Sequence, residues 1–250
     1  MDCTPKLVAF DLDGTLAESK QPVTPEMGVL LGKLLQKMPV AVMSGGAYYQ
    51  FEKQLLPALP SDAPLPRLYL FPTSAGRCYV YKNGAWQTAY DHSFTEEEKN
   101  IILKALQEAL VETGLNVPPS HLWGEQIEDR GSQISWSALG QQAPIEEKKK
   151  WDPDRKKRMP LRDAFLRRTS DFSVGVNATN TIDITRKGIT KAYGIEELSK
   201  MSGIPISEML YVGDALKEGG NDAVVIPTGV PTKEVAGPVE TAQVIEDILK

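Results

Sequence analysis

The 250-residue sequence has few of the residues that define several large classes of protein. It contains two cysteines and two histidines, which indicates neither a disulfide framework nor a zinc site. No apolar run approaches the roughly 18 residues of a membrane-spanning helix. The formal net charge of -5 disfavours a broad nucleic-acid-binding surface. The amino-terminal segment lacks the apolar region of a signal peptide, and we therefore expect a cytoplasmic protein.

The most informative stretch that is present runs from residue 7 to residue 16 and reads LVAFDLDGTL. Its short apolar run fits a strand buried on both faces, and Asp11 and Asp13 follow where an open α/β sheet places its ligands. The two carboxylates share one side of an extended chain, so a cation or a proton must relieve their repulsion. Hard oxygen ligands suit Mg²⁺. An acidic turn after a strand is the alternative.

Alternating strands and helices are predicted at both ends of the chain. In the amino-terminal part, a helix begins at Pro25 with Thr24 as its N-cap. It is followed by strand 40–43, helix 48–56 and strand 68–71. At the other end we expect a helix opening around Lys191, strands over 209–212 and 223–226, and a closing helix over 235–249. These patterns are typical of a parallel sheet covered by helices.

The pattern between residues 82 and 186 is different. An Asn83-Gly84 hairpin signal joins predicted strands, and an amphipathic helix, one-sided strands and a strongly basic helix follow. These elements are predicted over 78–81, 85–90, 95–113, 121–127, 132–137, 153–168, 172–176 and 181–185. The expected fold is a Rossmann-like α/β core domain, formed by residues 1–81 and 187–250. Residues 82–186 are expected to form an inserted α+β cap domain with an antiparallel sheet and two helices.

Further polar residues stand at the predicted strand ends and at one helix start. Ser44, Asp214 and Lys191 join the two aspartates, and the backbone N–H of Gly45 is a candidate to bind a phosphate oxygen. The set fits phosphoryl transfer, with a carboxylate nucleophile, a carboxyl acid/base, Mg²⁺, and a lysine and hydroxyl that stabilise phosphoryl oxygens. Taken singly, Ser44 and Asp214 are equally compatible with ordinary turns, and a lysine such as Lys191 is more often a solvated residue of a helix.

The order DLDGT, Ser44, Lys191 and GD…GGND resembles the haloacid dehalogenase superfamily, in the type with an α+β cap, over nearly the whole chain. The resemblance implies that Asp11 is the nucleophile and that Asp13 is the acid/base. It also implies a Mg²⁺ site. The residues implied to hold or support this ion are Asp11, Asp13 through its backbone carbonyl, Asp214, Asn221 and Asp222.

Within that superfamily the sequence is most similar to the eukaryotic-type phosphomannomutase family, because GDALKEGGND has that family's longer GD-to-ND spacing. This resemblance implies interconversion of hexose 6-phosphate and hexose 1-phosphate, with a hexose 1,6-bisphosphate as activator. The implied partner is a small phosphorylated sugar. A homodimer through the cap is one oligomeric state that the sequence leaves open.

Matching residues to that family yields candidates for substrate binding. They are Lys20, Arg130, Gln141, Lys148, Thr181 and Asp183. Gln141 and Lys148 stand where arginines are expected, Lys20 replaces another arginine, and Thr181 replaces a serine. Lysine and glutamine cannot reproduce the bidentate contact of arginine with phosphate. A sugar-phosphate phosphatase with the same chemistry is therefore the alternative function, and a binding module on an inactive enzyme fold is a third.

Simpler interpretations apply to several residues of the cap. In one such interpretation, Arg130 only forms a surface ion pair with its neighbour Asp129. The basic run 155–158 is interpreted as a solvated helix face, and the tryptophans of the cap as packing residues. These interpretations compete with roles in substrate binding.

Overall fold

The computed structural model describes residues 4–176 and 180–250 and contains two compact units. The first unit runs to Asp91 and resumes over Thr190–Lys250, and the second unit is His92–Ile189. Cys78 is buried and not disulfide-bonded, whereas Cys3 lies outside the described residues. Within the described ranges, none of the helices has the length and apolar character needed to span a membrane.

The described residues form eleven strands and seven α-helices. The strands are β1 (Leu7–Asp11), β2 (Val40–Met43), β3 (Leu68–Phe71), β4 (Arg77–Lys82), β5 (Ala85–Asp91), β6 (Ile127–Asp129), β7 (Gln133–Ser137), β8 (Phe172–Gly175), β9 (Thr181–Arg186), β10 (Met209–Gly213) and β11 (Thr232–Glu234). The helices are α1 (Pro25–Lys37), α2 (Tyr48–Gln54), α3 (Glu96–Glu112), α4 (Ile145–Trp151), α5 (Arg158–Leu166), α6 (Lys191–Ser202) and α7 (Pro238–Leu249).

The first unit is built on a seven-stranded sheet in the order β11-β10-β1-β2-β3-β4-β5. Strand β1 lies between β10 and β2 and is parallel to both, with Asp11 opposite Met43. Alternate residues of β1 face the two helical layers: Val8 and Phe10 pack with α1 and α7, and Leu7 and Ala9 pack with α6. The carboxyl ends of β1, β2 and β10 therefore meet at one edge of the sheet.

Helix α1 begins as the sequence predicts. The Thr24 hydroxyl accepts a hydrogen bond from the Met27 N–H at 3.3 Å, and Pro25 occupies the first helical turn. Helix α6 begins at Lys191 and buries Ile195 and Leu198 against the sheet. This helix therefore fixes the backbone of Lys191 at the edge where the parallel strands end.

The predicted hairpin is present, but it belongs to the first unit. Asn83 and Gly84 both have positive φ (54° and 81°), as a two-residue type I′ turn requires. This turn pairs β5 with β4, which itself pairs with β3. The expected boundary at residue 82 assigned β5 to the cap, whereas the structure places β5 in the seven-stranded sheet and begins the second unit at His92.

The second unit has a four-stranded antiparallel sheet in the order β6-β7-β9-β8. One face of its central strands is apolar and packs with α3 and α5; its residues include Ile134, Trp136, Ile182 and Ile184. The alternate residues, which point to the opposite face, are polar and include Ser135 and Asp183. The sheet thus presents a hydrophobic face to its helices and a polar face on the other side.

Three predicted elements differ in the structure. The basic helix expected over 153–168 begins only at Arg158, and a separate helix, α4, precedes it, so the second unit has three helices rather than two. Residues 121–126 are irregular, and the strand predicted there is confined to β6. The expected strand over 223–226 is a 3₁₀ helix, Ala223–Thr228. The strand that completes that side of the sheet is β11.

Candidate active site

The carboxyl ends of the parallel strands in the first unit hold a buried lysine between two aspartates. The Lys191 Nζ lies 2.6 Å from Asp11 Oδ1 and 2.6 Å from Asp222 Oδ1. Asp11 ends β1, and Lys191 begins α6. All three side chains are almost completely buried. Because a buried ammonium is stable only with compensating charge, the two carboxylates hold Lys191 in its charged form.

Asp222 receives two further hydrogen bonds. The Tyr211 hydroxyl donates to Asp222 Oδ1 at 2.6 Å, and the backbone N–H of Ala215 donates to Oδ2 at 3.1 Å. Gly213 makes room for this carboxylate, since a Cβ at that position would lie 2.5 Å from Asp222 Oδ2. Asp222 is therefore held on several sides by groups of β10 and the turn that follows it.

The close packing of these charges shifts their protonation equilibria. Burial raises the pKa of Asp11 well above its ordinary value; the Lys191 ammonium opposes this shift, and Asp222 adds to it. Burial opposes ionisation of Asp222, but Lys191 and the hydrogen bonds hold the pKa of Asp222 below its ordinary value. Burial would lower the pKa of Lys191, yet the two carboxylates raise it. The cluster thus contains an ammonium and a surplus of carboxylates.

A third carboxylate, Asp214, completes a group that could hold a metal ion. One oxygen each from Asp11, Asp214 and Asp222 lie within 4.8 Å of one another. Asp214 is exposed overall, but its carboxylate lies against Gly14. A Cβ atom added at position 14 would come within 2.6 Å of Asp214 Oδ2. Desolvation and the Asp222 carboxylate raise the pKa of Asp214. Three carboxylates facing one ammonium carry the excess negative charge that a divalent cation would neutralise.

Asp13 occupies a different environment from these carboxylates. Its Oδ1 accepts a hydrogen bond from the backbone N–H of Lys20, whose φ of 59° lies in the left-handed region. Thr15 is buried beside this turn, with its hydroxyl 3.5 Å from Asp214 Oδ1. The turn after β1 therefore gives Asp13 its own backbone partner, and its side chain is not a member of the three-carboxylate group.

The loop after β2 is less open than the sequence suggests. Ser44 is buried, and its Oγ accepts the Gly46 N–H at 3.0 Å. The Ser44 N–H donates to the Phe71 carbonyl of β3 at 3.0 Å. The backbone N–H groups of Ser44 and Gly46 are therefore both used within the protein. Gly45, between them, is half-buried, and Asn221 likewise lies half-buried directly before Asp222.

In the second unit, four of the predicted substrate-binding residues share a polar cluster with Glu128. We define this polar cluster as Glu128, Arg130, Gln141, Lys148 and Asp183. Arg130 donates to Glu128 Oε2 from Nε at 2.9 Å and from NH2 at 2.6 Å. Its NH2 also donates to Gln141 Oε1 at 3.4 Å, and its NH1 lies 3.9 Å from Asp183 Oδ1. The alternative interpretation of Arg130 as a surface partner of Asp129 is not supported, since Arg130 pairs with Glu128 and Asp129 pairs with Lys99.

The remaining predicted residues of this unit are also brought together. The buried Lys148, on α4, donates from Nζ to the Gln141 carbonyl at 3.2 Å. The Gln141 amide donates to the carbonyls of Gln126 and Ser135 at 3.2 and 3.4 Å. Thr181 and Asp183 lie two residues apart on β9 and therefore point to the same face of the sheet.

Sequence reasoning missed three polar residues that the structure makes prominent: Tyr211, Asp152 and Arg158. Arg158 was interpreted as part of a solvated helix face, but it is fully buried and its Nε donates to Asp152 Oδ2 at 2.9 Å. Its NH1 also donates to the Thr181 carbonyl at 3.2 Å. The sequence gives only a weak indication that these side chains are buried, which is that apolar residues stand next to them. Their hydrogen-bond partners are distant in the sequence or lie across an irregular turn, so no spacing pattern predicts the pairs.

Sequence comparisons show which known proteins this chain is similar to. Residues 8–222 match the family model of haloacid dehalogenase-like hydrolases. A phosphomannomutase of Encephalitozoon cuniculi is 27% identical, in an alignment that covers 96% of this chain and 92% of that protein. A phosphomannomutase of Spinacia oleracea is 29% identical, with 89% of this chain and 87% of that protein covered. The chain thus resembles these enzymes along most of its length.

Solved structures share the fold. A haloacid dehalogenase-like hydrolase from Bacteroides thetaiotaomicron superposes with a TM-score of 0.65 at 15% identity, covering 98% of this chain and 99% of that chain. The IMP-nucleotidase of Plasmodium falciparum, truncated at its N-terminus, gives a TM-score of 0.71 at 18% identity, covering 98% of this chain and 70% of that chain. Since the family model spans most of the sequence, this chain belongs to the haloacid dehalogenase-like hydrolases.

Proposed function

We propose that this enzyme transfers a phosphoryl group on a sugar phosphate through an aspartyl-phosphate intermediate and that its activity is phosphomannomutase-like. The observation that carries the proposal is the position of Asp11, which ends the central strand, contacts Lys191 at 2.6 Å and lies among three clustered carboxylates. A nucleophilic carboxylate, a fixed ammonium and a metal-binding group are the components that such chemistry requires.

In the proposed reaction, an oxygen of Asp11 forms a bond to phosphorus while the bond from phosphorus to the sugar oxygen breaks. Asp13 gives its proton to the departing oxygen and later removes one from the hydroxyl that attacks the aspartyl phosphate. Lys191 and the hydroxyl of Ser44 bind the phosphoryl oxygens. Because Asp13 is held by the Lys20 N–H through Oδ1, we assign its proton transfer to Oδ2.

The residues of the first unit fit Mg²⁺, since their donors are carboxylate oxygens lying within 4.8 Å of one another. Asp11 and Asp214 would hold the ion together with the backbone carbonyl of Asp13, and Asn221 and Asp222 would support it. When bound, Mg²⁺ neutralises charge on the carboxylates and polarises the phosphoryl group.

For the substrate we propose a hexose phosphate, following the relatives named phosphomannomutase. Arg130 and Lys148 supply the cationic groups that would bind the phosphate that is not being transferred. Thr181 and Asp183 would accept or donate hydrogen bonds to sugar hydroxyls. Lys20, beyond the DGT turn, is the remaining cation that we assign to substrate binding. A hexose 1,6-bisphosphate would serve as activator because it can phosphorylate Asp11.

A specific observation favours a second candidate, a sugar-phosphate phosphatase. In the polar cluster the charges of Arg130 and Lys148 are balanced by Glu128 and Asp183, which lie in the same network. An arginine at position 141 would give the cluster a surplus positive charge, but Gln141 is neutral. With the neutral Gln141, the cluster has no surplus positive charge, so a second phosphate would bind weakly and water would compete for the aspartyl phosphate.

The two functions are separated by a panel of hexose phosphates assayed with Mg²⁺, with and without a hexose 1,6-bisphosphate, while released phosphate and isomerised sugar are both measured. Bisphosphate-dependent isomerisation that exceeds phosphate release supports the mutase. Steady phosphate release without isomerisation selects the phosphatase. Turnover of neither kind on any member of the panel would refute the proposed function.

A further inference from the structure

We infer that Tyr211 is a positioning residue of the phosphoryl-transfer site: its hydroxyl fixes Asp222, and Asp222 in turn fixes Lys191. The inference rests on the proposed function, in which Lys191 binds the phosphoryl oxygens. Tyr211 lies on β10, opposite Ala9 of β1, and is fully buried. It is therefore placed directly behind the strand ends rather than at the substrate.

The hydrogen bonds define a chain of contacts from the sheet to the lysine. The Tyr211 hydroxyl and the Lys191 Nζ both lie 2.6 Å from the same atom, Asp222 Oδ1. The Ala215 N–H binds the other oxygen of that carboxylate at 3.1 Å. Besides the lysine, each oxygen of the Asp222 carboxylate therefore has one donor, which is a fully buried tyrosine on Oδ1 and a backbone N–H on Oδ2.

The lysine needs this support because its side chain is long and has several rotatable bonds. An ammonium has three hydrogens, and two of them are directed to Asp11 and Asp222. Their directions determine where the third hydrogen points, which is the one that we assign to a phosphoryl oxygen. If Asp222 rotates, Lys191 loses one of its two anchors, and misplacement of a catalytic group by about 1 Å can cost about 100-fold in rate.

The hydroxyl, rather than the ring, carries this role. The ring of Tyr211 packs in the buried cluster with Leu7, Ala9 and Ile195, and phenylalanine would make the same apolar contacts. Phenylalanine would leave Asp222 Oδ1 with only the lysine as donor. Tyr211→Phe is therefore a change of one hydrogen bond in an otherwise unchanged core.

The test compares Tyr211→Phe with Thr241→Val, which removes another fully buried hydroxyl of the first unit, one that donates to the Gly237 carbonyl at 3.1 Å on α7. With the substrate that the wild type turns over best, we expect Tyr211→Phe to lower kcat at least tenfold and to change KM less than threefold. Thr241→Val should keep both constants within twofold. In an Asp222→Asn background, Tyr211→Phe should have no further effect, since the two residues act through one path.

A wild-type kcat in Tyr211→Phe would overturn the inference, and so would a loss equalled by Thr241→Val. A crystal structure of Tyr211→Phe adds a readout that does not depend on turnover: we expect Asp222 and Lys191 to shift or to adopt alternate conformers. Unchanged positions of both side chains would refute the positioning role even if the wild type acted on no sugar phosphate. An inactive wild type with a displaced lysine in the variant would instead refute only the proposed function.

Discussion

At the scale of single residues, Asp214 and Asp222 are adjacent carboxylates with opposite surroundings. Asp222 is fully buried, accepts hydrogen bonds from a lysine, a tyrosine and a backbone N–H, and has a lowered pKa. Asp214 has a raised pKa, because burial and the Asp222 carboxylate outweigh Lys191 and the hydrogen bonds that Asp214 makes; its Oδ1 lies 3.5 Å from the Thr15 hydroxyl. A cation entering the group would therefore gain more from Asp214, whose charge is less compensated.

This difference predicts that Asp214→Asn weakens Mg²⁺ binding at least tenfold, because an amide keeps the shape of the side chain but not its charge. The Mg²⁺ dependence of turnover and direct calorimetric titration measure the effect. Glu218→Gln is the matched control, since Glu218 is an exposed acidic residue of the same loop and should bind no metal. Equal Mg²⁺ affinity in Asp214→Asn and the wild type would contradict the assignment.

The nucleophile gives the second prediction at this scale. Asp11→Asn should lower kcat at least about 1,000-fold, the order of magnitude for loss of a covalent nucleophile. The fold should persist because Lys191 retains its ion pair with Asp222 at 2.6 Å. Phosphate release and isomer formation measure activity, and circular dichroism checks the fold. As a control, Asp62→Asn at an exposed position should leave turnover unaltered. If Asp11→Asn keeps activity near that of the wild type, Asp11 is not the nucleophile.

At the scale of the secondary-structure elements, Asp152 determines where α5 begins. Its Oδ1 accepts the Lys157 N–H at 3.0 Å and its Oδ2 accepts the Arg158 N–H at 3.1 Å, so it satisfies donors at the start of the helix. The guanidinium of Arg158 pairs with the same carboxylate and reaches β9 through the Thr181 carbonyl. One buried carboxylate thus ties the end of α4, the start of α5 and a strand of the sheet together.

The stability of the second unit should therefore depend on pH through Asp152. Burial opposes ionisation of Asp152, but hydrogen bonds from Lys157 and Arg158 lower the pKa of this carboxyl below its ordinary value. The stabilisation is fully present above the ordinary pKa of about 4 and is lost as the pH falls through the lower folded-state value. We expect Asp152→Asn to cost about 3 kcal/mol at pH 7, as for a broken buried ion pair, and less at pH 3.

Urea unfolding followed by tryptophan fluorescence measures this effect, since Trp136 and Trp151 lie in the same unit with ring centroids 6.2 Å apart. The control is Asp154→Asn, two residues away, whose exposed carboxylate pairs with Lys156. Exposed pairs contribute little, so this variant should follow the wild type to within about 0.5 kcal/mol. If both variants lose the same stability at pH 7, the buried pair has no special role.

The elements that could be predicted from the sequence are those with a local signal. The apolar run of β1, the N-cap Thr24 and the Asn83-Gly84 turn each specify their own structure and are confirmed. The run 223–226 is equally apolar but forms a 3₁₀ helix, because a short apolar run does not distinguish a strand from a buried helical turn. The actual edge strand, β11, is short and fully exposed and carries no apolar pattern.

For the site, the sequence predicts the residues whose position follows from the sheet. Asp11 and Asp214 stand at carboxyl ends of parallel strands, so their proximity follows from topology alone. The Tyr211 hydroxyl and the Asp152–Arg158 pair could not be predicted, since each depends on a tertiary contact between side chains that have no characteristic spacing. Their burial is visible only when the helices and loops around them are placed.

At the scale of the whole molecule, the proposed chemistry and the proposed recognition of substrate belong to different units. The carboxylates and Lys191 are all in the first unit, whereas Arg130, Gln141 and Lys148 are in the second. The first set carries the motif order on which the resemblance to the family rests, whereas the second has Gln141 and Lys148 where that resemblance implies arginines. We therefore expect the reaction type to be fixed by the first unit and the balance between isomerisation and hydrolysis by the second.

This expectation predicts the effect of Gln141→Arg. The new guanidinium could still donate to the Gln126 and Ser135 carbonyls that the Gln141 amide binds, while adding the positive charge that the polar cluster lacks. Repulsion between this group and Arg130 would be relieved by a bound phosphate. We expect the hexose 1,6-bisphosphate concentration that gives half-maximal activation to fall at least threefold, and the ratio of isomer to released phosphate to rise.

The neighbouring, exposed Gln142 provides the control, because Gln142→Arg adds the same charge outside the cluster and should change neither quantity more than twofold. Equal responses of the two variants would show that general attraction of anions, rather than the polar cluster, controls the second phosphate.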